Sequence, residues 1–293
     1  MSGIDLSKTG WQWLTLLLLS MIWGTSFILM KKGLISYSHT QVAAFRMFFS
    51  FLLMLPISIR NIRVINRQNI FSLLIVGVIG FAIPALLFTK AQTRIDSYLA
   101  GILNSLTPLF TLIIGLMMFR ARIKFIHVLG ILVGLIGATG LIWRKEMNIL
   151  EGINAYSLLV VVATICYGIN VNVVKFKLTD LTSVEITSLA FLFVGPVAGI
   201  YLLFTDFSGV AQNGNYMLNL GFIALLAMFS SVIAVIIFNA LIKHTTAIFA
   251  SSVTYIIPVF AILWGVFDGE TVSLVQLLWL VIILGGIYMV NKS

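Results

Sequence analysis

Charged residues are scarce in this chain of 293 residues. Only 9% of the residues are charged, whereas 60% are hydrophobic and the mean hydropathy is +1.12. An ordinary soluble domain is about a quarter charged and about half apolar. No water-soluble fold can hide this much apolar surface, so the scarcity of charge excludes a soluble enzyme head or another large domain in water. The composition predicts a polytopic membrane protein whose solvent is the lipid bilayer.

Cysteine and acidic residues are also few. The single cysteine, Cys166, excludes an intramolecular disulfide. The nine acidic residues lie near the ends of hydrophobic runs or between them, which leaves little for a proton relay through the bilayer centre. The three histidines, His39, His127 and His244, have no spacing that suits a metal site. We therefore expect no metal and no cofactor.

Sequence motifs for enzymatic chemistry are absent as well. The chain contains no G-x-x-x-x-G-K-[ST] phosphate loop, which argues against ATP hydrolysis, and no H-E-x-x-H zinc motif. The net charge of +9 does not indicate nucleic-acid binding, because the basic residues lie between hydrophobic runs rather than in one patch. We expect no catalytic residues and therefore no enzyme.

Ten hydrophobic runs divide the chain. A helix needs about 20 apolar residues to span a bilayer, and the runs approach or reach this length. They lie at about 12–30, 40–59, 70–89, 98–119, 125–143, 156–174, 184–204, 217–240, 247–267 and 273–290. The connections are too short to fold alone. The sequence therefore predicts one all-α membrane domain of ten transmembrane helices.

The basic residues predict the orientation of these helices. If the N-terminus is cytoplasmic, eleven basic residues fall on the cytoplasmic side and six on the other, while Arg46 lies within a span. Lysine and arginine are enriched in cytoplasmic loops. We therefore predict a multi-pass protein of the inner (plasma) membrane with both termini in the cytoplasm.

The two halves of the chain resemble each other. With a shift of 150 residues, segment 103–110 aligns with segment 253–260, including a proline in each. With a shift of 144 residues, Trp23 aligns with Tyr167, and each is followed by glycine. The matches keep their order along the chain, which indicates an internal repeat.

An internal repeat of five spans has a geometric consequence. An odd number of spans makes the second copy enter the membrane from the opposite side. We therefore expect a first five-helix repeat at 1–150 and a second, inverted five-helix repeat at 151–293, together forming one domain. Alternating-access transporters are commonly built from inverted repeats, so this arrangement favours transport over a scaffold or an enzyme.

Five short segments carry a resemblance to a known family. They are Trp23-Gly24-Thr25-Ser26-Phe27, Phe45-Arg46, Leu106-Thr107-Pro108-Leu109-Phe110, Tyr255-Ile256-Ile257-Pro258-Val259-Phe260 and Gly269-Glu270. Together with the ten spans in two groups of five, these segments resemble the EamA-type members of the drug/metabolite transporter (DMT) superfamily. The resemblance covers nearly the whole chain. The resemblance implies an inner-membrane carrier of small metabolites, often amino acids moving outward, with a central cavity between the repeats. Arg120-Ala121-Arg122 departs from the family pattern, because a Gly-Glu pair is expected there in the first repeat.

Two prolines lie at matching places within long hydrophobic runs. Pro108 and Pro258 each remove a backbone donor and free the carbonyl one turn earlier, which lipid cannot satisfy. Asn104 and Thr107 precede the first proline, and Tyr255 precedes the second. One interpretation is a pair of kinked helices that line the cavity and bend during gating. The other is packing, in which nearby hydroxyl groups satisfy the freed carbonyls.

Arg46 is the charge that lies deepest in a predicted span. It is about six residues into the second run, which is roughly 9 Å along a helix. A charge at this depth costs about 2.5 kcal/mol or more unless it faces water or a partner. Its guanidinium could bind a substrate carboxylate or phosphate with two hydrogen bonds. Alternatively, it could reach the outer interface or hydrogen-bond backbone carbonyls.

Further candidates for substrate binding are aromatic or polar side chains within the runs. Trp23 and Tyr167 could stack on a substrate, or could simply pack in the core. Asn170 and Asn172 point about 200° apart on a helix, so the two amides cannot both face lipid and at least one is expected in the cavity. We name Asn170 as a site residue, together with the similar amide Asn239. Lys90 lies at the end of a run, where interface anchoring is the common role, but it follows a polar threonine within a helical continuation.

A row of glycines marks the fifth run. They recur every three or four residues at Gly130, Gly134, Gly137 and Gly140, which places them on one helix face. Such a face permits close contact between helices. The contact could lie within one subunit or between two copies in a homodimer.

Together these features predict a carrier of small polar metabolites, with an amino acid or an amino-acid derivative as the expected substrate and alternating access as the mechanism. Arg46 would attract the anionic end of the substrate. The alternatives are a carrier of phosphorylated sugars or lipid-linked substrates, a membrane enzyme, and an accessory subunit that moves no solute.

Overall fold

A computed structural model describes residues 5–95, 97–121, 124–142, 155–210, 214–267 and 274–291. Within these ranges the chain forms helices and no β-strand. In chain order the main helices are α1 (Thr9–Gly33), α2 (His39–Asn61), α3 (Ile70–Ala91), α4 (Ser97–Asn104), α5 (Thr107–Phe119), α6 (Phe125–Ile142), α7 (Ala155–Lys177), α8 (Ser183–Phe204), α9 (Tyr216–His244), α10 (Ala247–Ser251), α11 (Val253–Phe267) and α12 (Leu274–Asn291).

Apolar helices account for the predicted hydrophobic runs. Helices α1, α2, α3, α7, α8 and α9 are long and apolar enough to cross a membrane. Shorter apolar helices occupy the fourth, fifth, ninth and tenth runs, and the fourth and ninth runs are each divided between two helices. The prediction of an all-α polytopic membrane protein is confirmed.

Helices α2 and α8 begin with the same local structure. The hydroxyl of Ser38 accepts a hydrogen bond from the backbone N–H of Gln41 at 3.3 Å, and the Gln41 side chain accepts one from the Ser38 N–H at 2.9 Å. Thr182 and Glu185 form the same reciprocal pair at 3.2 and 2.7 Å. This capping box satisfies backbone donors that a helix start leaves free. The two boxes are 144 residues apart, the same offset that aligns the two halves of the sequence.

Helices α3 and α9 each contain a stretch of π-helix. The stretches are Val76–Ala82 and Leu226–Ile233, and their first residues are 150 positions apart. In a π-helix each N–H bonds to the carbonyl five residues earlier, so the helix accommodates an additional residue. Such stretches occur frequently at functional sites.

The fourth span breaks immediately before its proline. Helix α4 ends at Asn104, and Pro108 lies in the first turn of α5, where its missing N–H leaves no hydrogen bond unmade. Thr107 Oγ1 donates a hydrogen bond of 2.7 Å to the carbonyl of Asn104, one turn before Pro108. A local hydroxyl therefore satisfies the first of the two freed carbonyls.

The ninth span breaks at Ser252, and Pro258 lies inside α11. Pro258 deprives the Thr254 carbonyl of its helical donor. Ser105, in the fourth span, donates a hydrogen bond of 3.3 Å to this carbonyl. Polar packing thus accounts for both freed carbonyls, and it joins the two broken spans. The gating role of the two prolines and Thr107 stays a prediction.

The glycine face of α6 packs against α12 of the same chain. A Cβ atom on Gly130 would lie 2.7 Å from the carbonyl oxygen of Gly286, and one on Gly137 would lie 2.8 Å from Cγ1 of Ile283. Any larger residue would force the helices apart. Of the two interpretations of this face, contact within the subunit is the one that the structure contains.

Some sequence predictions concern residues outside the described ranges. These are the boundary between repeats at 150 and 151, the Gly269-Glu270 pair, Arg122 in the segment that departs from the family pattern, and Arg144, Lys145 and Lys292 in the orientation count.

Candidate functional site

A cavity lies between the two halves of the chain, and the empty space in it and at its mouth, open solvent included, amounts to about 940 Å³. Its lining comes from α1 to α5 in the first half and from α7 to α11 in the second, and none of the described lining residues belongs to α6 or α12. Most of the lining side chains are apolar, and many are aromatic. The polar ones come from the two serines of the α9 π-helix, from the ends of the broken spans and from the middle of α1, α2 and α7.

Arg46 supplies positive charge to this cavity. It is half-buried on α2, and its Nε donates a hydrogen bond of 2.6 Å to Ser231 Oγ on α9. Within the described part of the chain, the two terminal nitrogens of Arg46 make no hydrogen bond. Arg46 also has no ion-pair partner there, since the one ion pair among the described residues joins Lys8 to Asp5. Arg46 thus lines the cavity and does not extend to the outer interface. The Nη groups of Arg46 are available to an anionic ligand.

Two buried polar atoms in the cavity wall have no hydrogen-bond partner within the described part of the chain. They are Asn170 Oδ1 and Ser230 Oγ. Gly80 makes room for the amide, since a Cβ atom at Gly80 would lie 2.5 Å from Asn170 Oδ1. Leaving a buried polar group unpaired costs about 1–3 kcal/mol. A polar group of a bound substrate would remove this cost.

Aromatic side chains at equivalent positions of the two halves line the cavity. Trp23 Nε1 donates a hydrogen bond of 3.0 Å to the carbonyl of Ser230, and its ring meets Phe238 edge to face with centroids 5.0 Å apart. Tyr167 stacks on Phe88 with centroids 6.0 Å apart. The structure thus brings both predicted aromatic residues to one site.

The broken fourth span contributes polar groups to the same site. Asn104 and Thr107 line the cavity on either side of the break. Pro108 and Pro258 do not line it, but each directly follows a lining residue, Thr107 or Ile257. The prolines therefore shape the cavity wall through the backbone rather than by contact.

Lys90 and Asn239 lie outside the cavity, contrary to expectation. Lys90 is exposed at the C-terminal end of α3. Asn239 is fully buried in α9, and its side chain donates a hydrogen bond of 3.0 Å to Thr187 Oγ1 of α8. Asn239 follows the lining residue Phe238 by one position, and one residue turns a helix by about 100°. The amide therefore faces the neighbouring helix.

Tyr255 also lies outside the cavity, contrary to expectation. It is fully buried, and its hydroxyl donates a hydrogen bond of 3.0 Å to the Ile131 carbonyl on α6. The ring fills the space over Gly134, where a Cβ atom would lie 2.6 Å from Tyr255 Cε2. Tyr255 follows the lining residue Thr254 by one position, which turns its side chain about 100° away from the cavity. It therefore joins α11 to α6.

Five of the lining residues that were not predicted from the sequence carry most of the site's chemistry. Four of them lie in the π-helical stretches as two adjacent pairs, Gly80-Phe81 and Ser230-Ser231, and the fifth is Phe191 on α8. The shift of 150 residues aligns the two pairs, so the repeat contained a signal for them. The π-helical geometry that turns both pairs into the cavity has no such signal in the sequence.

The polar lining of the cavity consists of one cationic side chain and neutral donors and acceptors. Among the described residues no acidic side chain lines the cavity, and no group of three or more histidine, cysteine or acidic side chains could hold a metal ion. Membrane-spanning helices around a central cavity between two halves of a chain are the architecture of a membrane transporter.

Comparisons with known proteins agree with this class. The model of the EamA-like transporter family matches residues 10–143 and again residues 154–292. The chain belongs to the EamA-like transporter family, and the resemblance to the DMT superfamily is confirmed.

Relatives and a solved structure span nearly the whole chain. An uncharacterized transporter of Archaeoglobus fulgidus is 25% identical over 96% of this chain and 99% of its own length. The uncharacterized inner membrane transporter YedA of Escherichia coli is 24% identical over 93% of this chain and 88% of its own length. A protein of known crystal structure with 15% identity superposes with a TM-score of 0.73 over 96% of both chains, which shows a shared fold.

Proposed function

We propose that this transporter carries amino acids or amino-acid derivatives outward across the inner membrane by alternating access. Arg46 is the observation that carries the proposal. It presents unpaired guanidinium nitrogens to a largely apolar cavity that has no acidic lining residue among those described. A guanidinium in this state is complementary to a carboxylate, which it binds with two parallel hydrogen bonds.

Neutral acceptors in the cavity suit the other end of an amino acid. Asn170 Oδ1 and Ser230 Oγ are buried without a partner, and an ammonium group could donate hydrogen bonds to them. Ser230 is adjacent to Ser231, which holds Arg46. The carboxylate and ammonium of one amino acid could therefore both be bound in this cavity.

Three observations support the two inverted repeats that alternating access needs. The family model matches twice, the capping boxes are 144 residues apart and the π-helical stretches begin 150 residues apart. An odd number of spans inverts the second repeat. The repeats at 1–150 and 151–293 would rock about the broken spans, with Pro108 and Pro258 near the pivots.

Phosphorylated or lipid-linked substrates fit this cavity less well. A phosphate group carries more charge than a carboxylate and is usually held by several cations, whereas Arg46 is the one cationic side chain among the described lining residues. The same lining offers no catalytic acid, base or metal ligand set, which favours a carrier over a membrane enzyme.

Transport in proteoliposomes tests the proposal. The purified chain, reconstituted and offered a pool of labelled amino acids, should show saturable flux of one or a few. Arg46→Gln should lower kcat/KM for these substrates at least about tenfold, since a hydrogen bond to a charged group contributes about 1.5–3 kcal/mol. Arg46→Lys should be intermediate, because it keeps the charge and loses the planar fork.

Lys90→Gln is the matched control for charge removal, since Lys90 is exposed and outside the cavity. It should leave flux unchanged. Unchanged flux in a well-expressed Arg46→Gln variant would reject the role of Arg46. No flux of any amino acid by folded wild-type protein would reject the proposed substrates in favour of phosphorylated or lipid-linked ones.

A further inference from the structure

We infer that the substrate is a monocarboxylate with a flat aromatic group, held in one orientation between two different walls of the cavity, and that its amino group is tolerated but not required. This inference rests on the proposed function and narrows its substrate class. The polar wall consists of Arg46, Ser230 and Ser231. The aromatic wall consists of Phe81 and Phe191.

The polar wall forms where α2 meets the π-helical stretch of α9. Ser231 accepts the Nε hydrogen bond of Arg46 at 2.6 Å, which orients the guanidinium plane and leaves its terminal nitrogens for a ligand. Ser230 adds an unpaired hydroxyl beside it. The wall therefore has the charge and the donor geometry that one carboxylate needs.

The aromatic wall forms where α8 meets the π-helical stretch of α3. The rings of Phe81 and Phe191 stack with centroids 4.8 Å apart and planes 27° apart. Phe81 keeps 8% of its surface exposed, whereas Phe191 is fully buried. Phe81 is thus the ring that a substrate touches, and Phe191 positions it. A flat aromatic group would extend this stack.

The two walls come from equivalent helices of the two halves of the chain, α2 with α9 and α8 with α3. A shift of 150 residues aligns Gly80-Phe81 with Ser230-Ser231, and a shift of 144 residues aligns Arg46 with Ala190, one position before Phe191. The same positions are thus polar in one half and apolar in the other. A cavity with this asymmetry binds an amphiphile in one orientation, with its anionic end on Arg46 and its apolar end on Phe81.

The amino group of the substrate has a weaker role than the carboxylate. No acidic side chain lies among the described lining residues, so an ammonium group meets only neutral acceptors, such as Asn170 Oδ1. Arg46 already places one positive charge in the cavity, and neutral acceptors do not balance a second one. The site therefore favours substrates whose net charge is negative or zero. An aromatic amine that lacks the carboxylate should not bind.

Four probe compounds separate these contributions in proteoliposomes: phenylalanine, leucine, 3-phenylpropanoate and 2-phenylethylamine. Wild-type protein should transport phenylalanine and 3-phenylpropanoate, transport leucine less well and leave 2-phenylethylamine untransported. Phe81→Leu should lower the ratio of kcat/KM for phenylalanine to that for leucine about threefold to tenfold, the range expected for one aromatic pair. Phe191→Leu should shift the ratio in the same direction.

Two controls make the selectivity ratio informative. Phe119→Leu removes one ring of the stacked Phe119–Phe176 pair, which lies outside the cavity, and should leave the ratio unchanged. Arg46→Gln should lower transport of both amino acids together and also leave the ratio unchanged. Thermal shifts of wild-type protein with each of the four compounds give the same ranking without any variant.

The outcomes distinguish this inference from the proposed function. If Arg46→Gln abolishes carboxylate transport while Phe81→Leu leaves the ratio unchanged, the aromatic wall is wrong and the carboxylate carrier stands. If wild-type protein ranks leucine with phenylalanine, or its thermal shift is as large with 2-phenylethylamine as with 3-phenylpropanoate, the inference is overturned. If no carboxylate is transported at all, the proposed function fails with it.

Discussion

At the scale of single residues, a helix position decides whether a polar side chain serves the cavity or the packing. Asn170 faces the cavity, whereas Asn172, two positions later, donates hydrogen bonds of 2.9 Å to the Thr111 carbonyl and 2.8 Å to the Gly168 carbonyl. Two residues turn a helix by about 200°, so the two amides point in opposite directions. Their chemistry is identical, and only the direction in which they point separates a binding group from a packing group.

Tyr255 provides a test of this distinction. Tyr255→Phe removes the hydrogen bond to the Ile131 carbonyl while keeping the ring over Gly134. We expect unfolding to become easier by about 1 kcal/mol. The melting temperature should fall by about 2 °C. The KM for the transported substrate should change less than twofold.

Trp23→Phe is the comparison inside the cavity. It also removes one hydrogen bond to a backbone carbonyl, that of Ser230, but it changes a lining side chain. Its KM should rise. A rise in KM for Tyr255→Phe as large as that for Trp23→Phe would place Tyr255 in the binding site and contradict the structure.

At the scale of helices, the two π-helical stretches are the shared feature of α3 and α9. They bring Gly80-Phe81 and Ser230-Ser231 to the cavity from opposite halves of the chain. A stretch of π-helix contains one residue more than an α-helix needs over the same length, and it is typical of sites under functional constraint. Apart from Ser230 and Ser231, the sequences of the two stretches are apolar and resemble other transmembrane segments.

Deleting Val78 tests the role of the π-helix in α3. Val78 lies within the stretch and is partly exposed on the outer surface of the helix bundle, so its loss should let α3 become a regular α-helix without removing a core side chain. We expect insertion and melting temperature to be retained while flux falls at least about tenfold, since Gly80 and Phe81 would leave their positions. Reconstituted flux and thermal unfolding measure the two effects.

Deleting Leu74 is the matched control, because Leu74 lies in the regular part of α3 just before the stretch. This deletion rotates the remainder of the helix by about 100° and should impair folding. Full transport by the Val78 deletion variant would show that the π-helical geometry is dispensable.

At the scale of the whole molecule, the orientation of the chain connects the sequence to the direction of transport. The count of basic residues predicts cytoplasmic termini, and outward transport of a metabolite needs the cavity to open first to that side. Cys166 is the one cysteine of the chain and is buried, so Cys166→Ser provides a cysteine-free background.

Two single-cysteine variants in this background test the orientation. Thr93→Cys lies after the third span and Gln68→Cys before it, and both positions are exposed. A membrane-impermeant maleimide should label Thr93→Cys in intact cells and label Gln68→Cys only after lysis. The reverse pattern would place both termini outside and contradict the count of basic residues.

Much of this protein could be predicted from its amino-acid sequence. The scarcity of charge predicted that the chain lies in lipid, and the ten apolar runs predicted its membrane helices. The depth of Arg46 predicted a charge that needs a wet cavity or a partner, and the shift of 144 residues paired Trp23 with Tyr167. These features are readable because they depend on composition, length and spacing, which are local properties of the chain.

Other features were decided by the tertiary structure. Asn239 and Tyr255 each follow a lining residue by one position, so they point at neighbouring helices instead of the cavity. The hydrophobic runs in the sequence do not fix the rotation of a helix to within one residue. The stack of Phe81 on Phe191 depends on how α3 packs against α8. The asymmetry of the cavity arises only when the two similar halves pack together, because each wall is formed by one helix from each half.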